Sequence, residues 1–239
     1  LNCRKLNQKW STYFSIIHRK IFLLILIIGN ISCQKQFDKL AFEQNVAYEI
    51  FPALIDSLHR DIRVFPPAFP ANYDKQGNYI GFDSVAAEKN MKDYKERKIK
   101  FYNDSLKLII AISDSTNLLD ENDKKKFLDY YKNIELDTSN IAFRYKIKID
   151  SLHADKKLKF KYLSEFPKGI NIWSNKNDYN FFLNGATSFS RIQFDKTLSY
   201  GVMTSSYTIA SLSGYGVLVY IKKINGKWVI DKIESTWIS

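Results

Sequence analysis

Four side chains capable of acid–base or nucleophilic chemistry lie within the hexapeptide DSLHAD: Asp150, Ser151, His153 and Asp155. A hydrolytic triad needs a base within hydrogen-bond reach of its nucleophile and a third group that orients the base. Residues this close in sequence rarely reach that geometry, so we interpret the hexapeptide as a polar turn between two strands. It also offers too few further ligands to predict a metal site.

Asp114 is a second candidate, because it follows the apolar run LKLIIAI, residues 106–112. That run predicts a buried strand, and the ligand sites of parallel α/β sheets gather at the carboxyl ends of strands. A polar residue in this place more often starts a loop or caps a helix. A hydrolase with a site near Asp114 or His153 is therefore the alternative function that the sequence leaves open.

Six cations alternate with apolar residues in two segments, 141–149 and 157–162. Each segment predicts a strand with one apolar and one basic face. If the two strands pair, all six cations lie on one face of one ribbon and are candidates for binding anionic lipid or polysaccharide. A solvated face that discourages edge pairing is the alternative. Nucleic acid is not expected, because the aromatic residues fall on the opposite face. The cations are Arg144, Lys146, Lys148, Lys157, Lys159 and Lys161.

A basic pair and an apolar run in the N-terminal segment predict an export signal. Arg19 and Lys20 precede eight consecutive apolar residues, 21–28. A helix that spans a bilayer needs about 20 apolar residues, whereas a positive segment followed by about 7–15 of them is typical of a secretory signal peptide. Ser32 is the small residue expected directly before a cleavage site, so we expect residues 1–32 to be removed.

The tetrapeptide Asn30-Ile31-Ser32-Cys33 resembles a bacterial lipobox. In that family the cysteine thiol receives a diacylglyceryl group, the signal peptidase cuts before the cysteine, and the new amino group is acylated. The resemblance implies cleavage between Ser32 and Cys33, lipidation of Cys33, and membrane lipid as a partner. Residues 33–39 then form the lipidated cysteine and its tether. Because Gln34 is not aspartate, the resemblance also implies residence in the outer membrane of a Gram-negative bacterium.

Composition restricts the chemistry of the mature chain. Of the 36 basic and 25 acidic residues, five basic ones lie within residues 1–32, so the mature chain keeps a net charge of +6. That moderate charge favours anionic surfaces. Acylation of Cys33 leaves no thiol for a cysteine nucleophile or a cysteine-ligated zinc ion. The remaining histidines are His59 and His153, and a two-histidine metal site would have to join both. We predict no metal and no cofactor.

Helices are predicted for the first half of the chain. Apolar residues at helical spacing over residues 46–62 predict a helix, with a kink or a new start at Pro52. Residues 64–79 contain three prolines and one glycine and predict a surface loop. Asp83 and Asp120 are predicted N-caps of two further helices.

Strands are predicted for the second half, over residues 189–194 and 200–209 and in a final hairpin. The hairpin prediction rests on Asn225-Gly226, which accepts the positive φ angles of a type I′ turn. The expected fold class is α+β, with N-terminal helices and one strand followed by a mainly antiparallel sheet.

We expect one α+β domain over residues 40–239, with a helical part at 40–135 and a sheet part at 140–239. Its C-terminal segments SRIQFDKTLSYGVM, SGYGVLVYIKKINGKWVI and TWIS are similar to the C-terminal part of uncharacterised lipoproteins from Gram-negative bacteria. That resemblance brings no activity with it. The sequence therefore predicts an exported, membrane-anchored lipoprotein that serves as a non-catalytic binding or envelope-structural module.

Overall fold

A mixed β-sheet with one long helix across it forms the centre of the molecule, for which we have a computed structural model. The model describes residues 37–139, 143–174 and 178–239, so the predicted cleavage and lipidation residues Ser32 and Cys33 lie outside the described residues. The chain divides into two units, Leu1–Lys39 and Leu40–Ser239. The sheet and the cleft described below belong to the second unit.

The described residues form four α-helices and nine strands. The helices are α1 Lys39–Leu58, α2 Ser84–Asn103, α3 Glu121–Tyr130 and α4 Asn171–Ser174. The strands are β1 Ala71–Tyr73, β2 Tyr79–Phe82, β3 Leu108–Ile112, β4 Leu158–Tyr162, β5 Phe182–Phe189, β6 Gln193–Phe194, β7 Tyr200–Ala210, β8 Ser213–Ile224 and β9 Lys227–Ile238. Short 3₁₀ turns lie at Ile149–Ser151 and Leu163–Glu165.

Seven strands form the main sheet in the order β4-β3-β5-β7-β8-β9, with β6 beside β7. β3 is parallel to both of its neighbours, whereas the pairs from β5 to β9 are antiparallel. The predicted α+β class is confirmed. The helical and sheet parts are not separate regions, however, because β3 from the first half lies between two strands of the second half.

β3 is apolar throughout because both of its faces are buried. Ile110 and Ile112 belong to the core beneath α1, together with Val46 and Leu54 of that helix. Ile109 and Ala111 point to the other face of the sheet and join a second cluster. Burial on both faces explains why this strand has no polar alternation in its sequence.

A buried ion pair fixes α1 to the loop between β5 and β6. The Arg191 guanidinium donates from Nε to Oε1 of Glu43 at 2.7 Å and from Nη2 to Oε2 at 2.5 Å. The amide of Ile192 donates to the same carboxylate at 2.9 Å. Glu43 is 2% exposed and Arg191 is 5% exposed, so this fork-to-fork pair sits within the core.

Three predictions for the helical half can be compared with the structure. Asp83 accepts from the amide of Ala86 at 2.9 Å, and Asp120 accepts from that of Asp123 at 2.8 Å, which confirms both N-caps. Of the two alternatives predicted at Pro52, a kink or a new helix start, the new start is excluded because α1 continues through that residue.

The predicted loop over residues 64–79 contains part of a small hairpin, formed by β1 and β2. Its turn is built by Asp74, whose carboxylate accepts from the amides of Gln76 and Asn78 at 2.9 and 2.8 Å. Gly77 supplies the positive φ of 84° that the turn needs. The prolines therefore precede a hairpin instead of extending a loop.

The predicted strand over residues 141–149 is wrong. Residues 140–142 lie outside the described residues, and from 143 onward the chain forms only an isolated bridge between Lys146 and Ser115. Tyr145 and Ile147 are buried, so the alternation in the sequence is real. It arises because this segment runs along the loop after β3, where the amide of Ile147 donates to the carbonyl of Asp114 at 2.9 Å.

The last two strands are joined at Asn225-Gly226, where φ is 50° and then 84°. Ile224 and Lys227 face each other across this turn. Within the described part of the chain, no helix combines the length and the apolar character that crossing a membrane requires.

Candidate ligand-binding cleft

A cleft of about 640 Å³ opens at the amino ends of β3 and β4. Its walls come from the last turns of α1, from the end of α2, and from the segment that leads into β4. Apolar and aromatic side chains form one part of its lining: Pro52, Ala53, Ile55, Phe101, Tyr102, Leu108, Ala154 and Leu158. Ionisable side chains form the other part: Asp56, His59, Asp61, His153, Asp155 and Lys157.

His59 is held at the point where the chain leaves α1. Its amide closes the last helical turn by donating to the carbonyl of Ile55 at 2.7 Å. The hydroxyl of Tyr215 donates to the carbonyl of Leu58, which fixes the helix end to β8. The imidazole is half-buried and meets the ring of Tyr207 edge-on at 6.2 Å.

Asn184 of β5 determines which nitrogen of His59 carries the proton. Asn184 is fully buried; its Oδ1 accepts from the amide of Ile62 at 3.1 Å and its Nδ2 donates to the carbonyl of Arg60 at 2.8 Å. These two backbone contacts fix the orientation of the amide. The same Nδ2 lies 2.8 Å from Nε2 of His59, which must therefore act as the acceptor. The neutral imidazole thus carries its proton on Nδ1.

The environment of His59 disfavours its charged form. Burial lowers the pKa of His59 below its ordinary value of 6.5, although the charges of Asp61, Asp155 and Asp56 oppose that effect. Protonation would also place an N–H of the ring against the amide donor of Asn184. The cleft therefore contains a neutral imidazole of fixed tautomer.

A chain of alternating charges forms the base of the cleft next to α2. Arg63 binds the carboxylate of Asp61 through Nε at 2.9 Å and Nη2 at 2.6 Å, and binds Asp104 through Nη1 at 2.5 Å. Lys157 completes the chain with a 2.8 Å contact to Asp104 and a hydrogen bond to the carbonyl of Phe101. Burial alone would raise the pKa of Asp61, but the hydrogen bonds and charge of Arg63 lower it overall.

Two carboxylates of the cleft lack such neutralisation. Asp56 is exposed on the last turns of α1, and Asp155 is exposed on the segment that leads into β4, where it accepts from the amide of Lys157 at 2.7 Å. Among residues 37–139, 143–174 and 178–239, no cation forms an ion pair with either carboxylate. Asp61 and Lys157, in contrast, are already paired. The unpaired charge of the cleft is therefore negative.

The lining defines which chemistry the cleft supports. Its lining residues contain no serine, threonine or cysteine, so the cleft offers none of the hydroxyl or thiol nucleophiles of these residue types. No group of three or more metal-ligating side chains occurs in the part of the chain that the structure describes. What remains is an apolar surface with carboxylates and imidazoles at its edge, which suits the binding of a small molecule.

The two candidate residues of the alternative hydrolase lie at opposite ends of the sheet strands. His153 lines the cleft at the amino ends, together with Asp155 of the same hexapeptide. Asp114 lies at the carboxyl end of β3, where its carboxylate accepts from the amide and the hydroxyl of Ser164 at 3.0 and 2.6 Å. Asp114 therefore joins the loop after β3 to the turn after β4 and does not line the cleft.

The six predicted cations do not share one face. β4 pairs with β3, so the expected ribbon does not form. Lys146 lies 5.0 Å from the ring of Tyr162, which packs on the α1 side of the sheet. Lys161 lies 5.6 Å from the ring of Phe181, which packs on the other side.

Two of these cations are also neutralised by acids. Lys157 contacts Asp104 at 2.8 Å, and Lys161 contacts Glu165 at 2.9 Å. Arg144, Lys148 and Lys159 are exposed. Anion binding by these cations stays a prediction, without the single basic face from which it was inferred.

The sequence pattern does not reveal the cleft, because its residues come from four separated segments. His59 was noted only as one of two histidines. The signal that points to it is Asn184, an asparagine within β5, although that strand also contains Thr187 and Ser188. A buried amide of this kind needs several partners, and its partners here are the residues that follow α1.

The fold and the cleft define an α+β domain with a solvent-open site of small-molecule size. No family model matches this chain, and neither do curated proteins or solved structures.

Proposed function

We propose that this protein is an exported lipoprotein, anchored through Cys33 in the outer membrane of a Gram-negative bacterium, whose domain binds a small cationic molecule in the cleft. The anchor is supported by the basic pair, the apolar run and the lipobox-like tetrapeptide of the sequence. Two or three long acyl chains hold a protein firmly on a membrane, whereas one chain alone is marginal.

The observation that carries the binding function is the pair of unneutralised carboxylates in a partly apolar lining. Asp56 and Asp155 line the cleft without a cationic partner in the described chain, and Ile55, Leu108 and Leu158 line it with them. The volume of about 640 Å³ falls within the range of about 300–1,000 Å³ that is usual for small-molecule sites. An amine with an attached apolar group complements both parts.

A matched set of probes tests this proposal. Saturation-transfer NMR on the full chain should detect binding of 2-phenylethylamine and weaker or no binding of 2-phenylethanol and phenylacetate. The double variant Asp56→Asn/Asp155→Asn should lose the preference for the amine. Asp93→Asn/Asp129→Asn removes two exposed acids elsewhere and should keep it. Equal signals from all three probes would exclude a cationic ligand.

The anchor is tested separately by radioactive palmitate labelling in a Gram-negative host. The Cys33→Ala variant should take up no label, because it lacks the thiol to which the diacylglyceryl group is attached. Cys3→Ala should be labelled like the unaltered chain, since Cys3 lies within the predicted signal. Labelling of the Cys33→Ala variant would show that the acyl group is placed elsewhere or that the label is not specific.

Hydrolysis in the same cleft is the second candidate function. It is favoured by His153, an exposed imidazole that lines the cleft beside Asp155. His59 is not the base, because Nε2 already accepts from Asn184 and Nδ1 carries the proton. Turnover of p-nitrophenyl acetate that is lost on unfolding and lost in His153→Gln would support this candidate. Turnover that is unaffected by His153→Gln would exclude His153 as the base.

A further inference from the structure

The hairpin of β1 and β2 carries four large aromatic side chains that are exposed in the described part of the chain. Tyr73 faces Tyr79 across the two strands, and Phe82 faces Ala71. A shift of register between Asn72 and Tyr73 separates these two pairs. Phe69 precedes β1 and packs against Phe82.

The four rings, here called the aromatic face (Phe69, Tyr73, Tyr79 and Phe82), form two contacting pairs that remain in solvent. The ring centroids of Phe69 and Phe82 are 6.0 Å apart, and those of Tyr73 and Tyr79 are 6.3 Å apart. Their exposed fractions are 81% for Phe69, 63% for Tyr73, 64% for Tyr79 and 49% for Phe82. A cluster of large exposed aromatic residues marks an interaction surface.

The helix that follows this hairpin directly is basic and buries none of its residues. α2 begins two residues after Phe82 and contains six cations and three acids. The cations, all exposed, are Lys89, Lys92, Lys95, Arg97, Lys98 and Lys100. Aromatic rings beside positive charge complement the interface of an anionic bilayer, where rings settle at headgroup level and cations meet the surface potential.

The size of the aromatic face also favours a bilayer over a protein partner. At about 200 Å² for a fully exposed ring, the four rings offer about 500 Å². A standard protein interface takes about 800 Å² from each partner. A bilayer has no such requirement, because insertion depends on each ring separately.

We propose that the aromatic face of the β1–β2 hairpin inserts into the headgroup region of an anionic phospholipid bilayer, with α2 lying at the surface. This contact is additional to the acyl anchor and does not depend on ligand binding in the cleft. The turn built by Asp74 keeps the two strands together independently of the exposed rings, so the rings can be changed without removing the hairpin.

An introduced indole tests the insertion in the full chain. The variant Phe69→Trp places a fluorophore on the aromatic face, and Leu212→Trp places one in the exposed turn between β7 and β8, where the side chain is 85% exposed. On vesicles of brominated phosphatidylglycerol, the emission added by Phe69→Trp should be largely lost. The emission added by Leu212→Trp should persist. The emission of each variant is measured relative to that of the unaltered chain.

Two further variants separate the contributions of rings and charge. Tyr73→Ser/Tyr79→Ser in the Phe69→Trp background should abolish the quenching. Lys95→Gln/Lys98→Gln should reduce it on phosphatidylglycerol, and raising the salt to about 1 M should have the same effect because the screening length then falls to about 3 Å. Equal quenching of the two indoles, or no quenching of either, would overturn the proposal. Self-association of the protein, measured by sedimentation in the absence of lipid, would also overturn the proposal if it covered the indole of Phe69→Trp.

Discussion

The buried amide of Asn184 donates to Nε2 of His59 across 2.8 Å, and this single contact ties the chemistry of the cleft to the interior of the sheet. Asn184 also holds the carbonyl of Arg60 and the amide of Ile62. The state of one imidazole therefore affects how the segment after α1 is attached. Two predictions follow from this coupling.

The first prediction concerns stability against pH. Since the pKa of His59 is lowered in the folded protein, the unfolded chain takes up this proton more readily. The stabilisation is fully present above pH 6.5 and is lost as pH falls through the folded pKa. Replacing the imidazole by an amide acceptor in His59→Gln should flatten that part of the profile. Chemical denaturation at a series of pH values measures it.

The titration of Asp61 does not interfere with this measurement. Its pKa is also lowered in the folded protein, so its contribution is present above 3.8 and is lost only below that value. The two windows are therefore separate. A His59→Gln profile parallel to that of the unaltered chain near pH 6 would contradict the assigned tautomer.

The second prediction concerns Asn184→Asp. A carboxylate accepts a proton from the ring instead of donating to it, so the pKa of His59 should rise relative to the unaltered chain. The loss of the donor to the carbonyl of Arg60 should also cost about 1–3 kcal/mol of stability. Imidazole proton shifts in an NMR titration report the first effect. An unchanged titration of His59 would show that the Asn184 contact does not control it.

The third prediction concerns the buried pair of Glu43 and Arg191. Glu43→Gln leaves the guanidinium charge in the core without its counter-charge and should destabilise the protein by about 3–5 kcal/mol. The exposed pair of Glu135 and Lys196 provides the control, because Glu135→Gln should change stability only slightly. Thermal unfolding compares both variants. Similar losses would mean that the buried pair gains nothing from its position.

The fourth prediction concerns the final hairpin. Gly226 has φ of 84°, which a β-branched residue resists, so Gly226→Val should cost about 1 kcal/mol or more. Lys227→Val introduces the same side chain at the first residue of β9 and is the control. Equal unfolding temperatures for the two variants would indicate that the turn tolerates the larger residue by changing its conformation.

Local signals predicted much of the fold. The caps of α2 and α3 follow from Asp83 and Asp120, because a carboxylate before an apolar stripe has a short-range partner in the next turn. The buried strand β3 follows from its continuous apolar run. These features depend on neighbours within a few residues, which the sequence shows directly.

Long-range pairing was the part that local signals missed. Tyr145 and Ile147 alternate with polar residues as a strand does, but their partners are the loop after β3 and the core beneath α1. The cleft escaped prediction for the same reason. Asp56 and Asp155 lie far apart in sequence and line one cleft only because the end of α1 packs beside the segment that leads into β4.

The place of β3 between two later strands determines when the domain can form. Both of its partners, β4 and β5, follow it in the chain, so β3 has no sheet to join while only the first half has been made. The apolar face of α1 packs against the same strands and is not buried before they are present. When the chain is made from its N-terminus, the apolar residues of β3 and α1 therefore stay exposed to solvent until β5 has been made. Most of the domain then folds together, at a late stage.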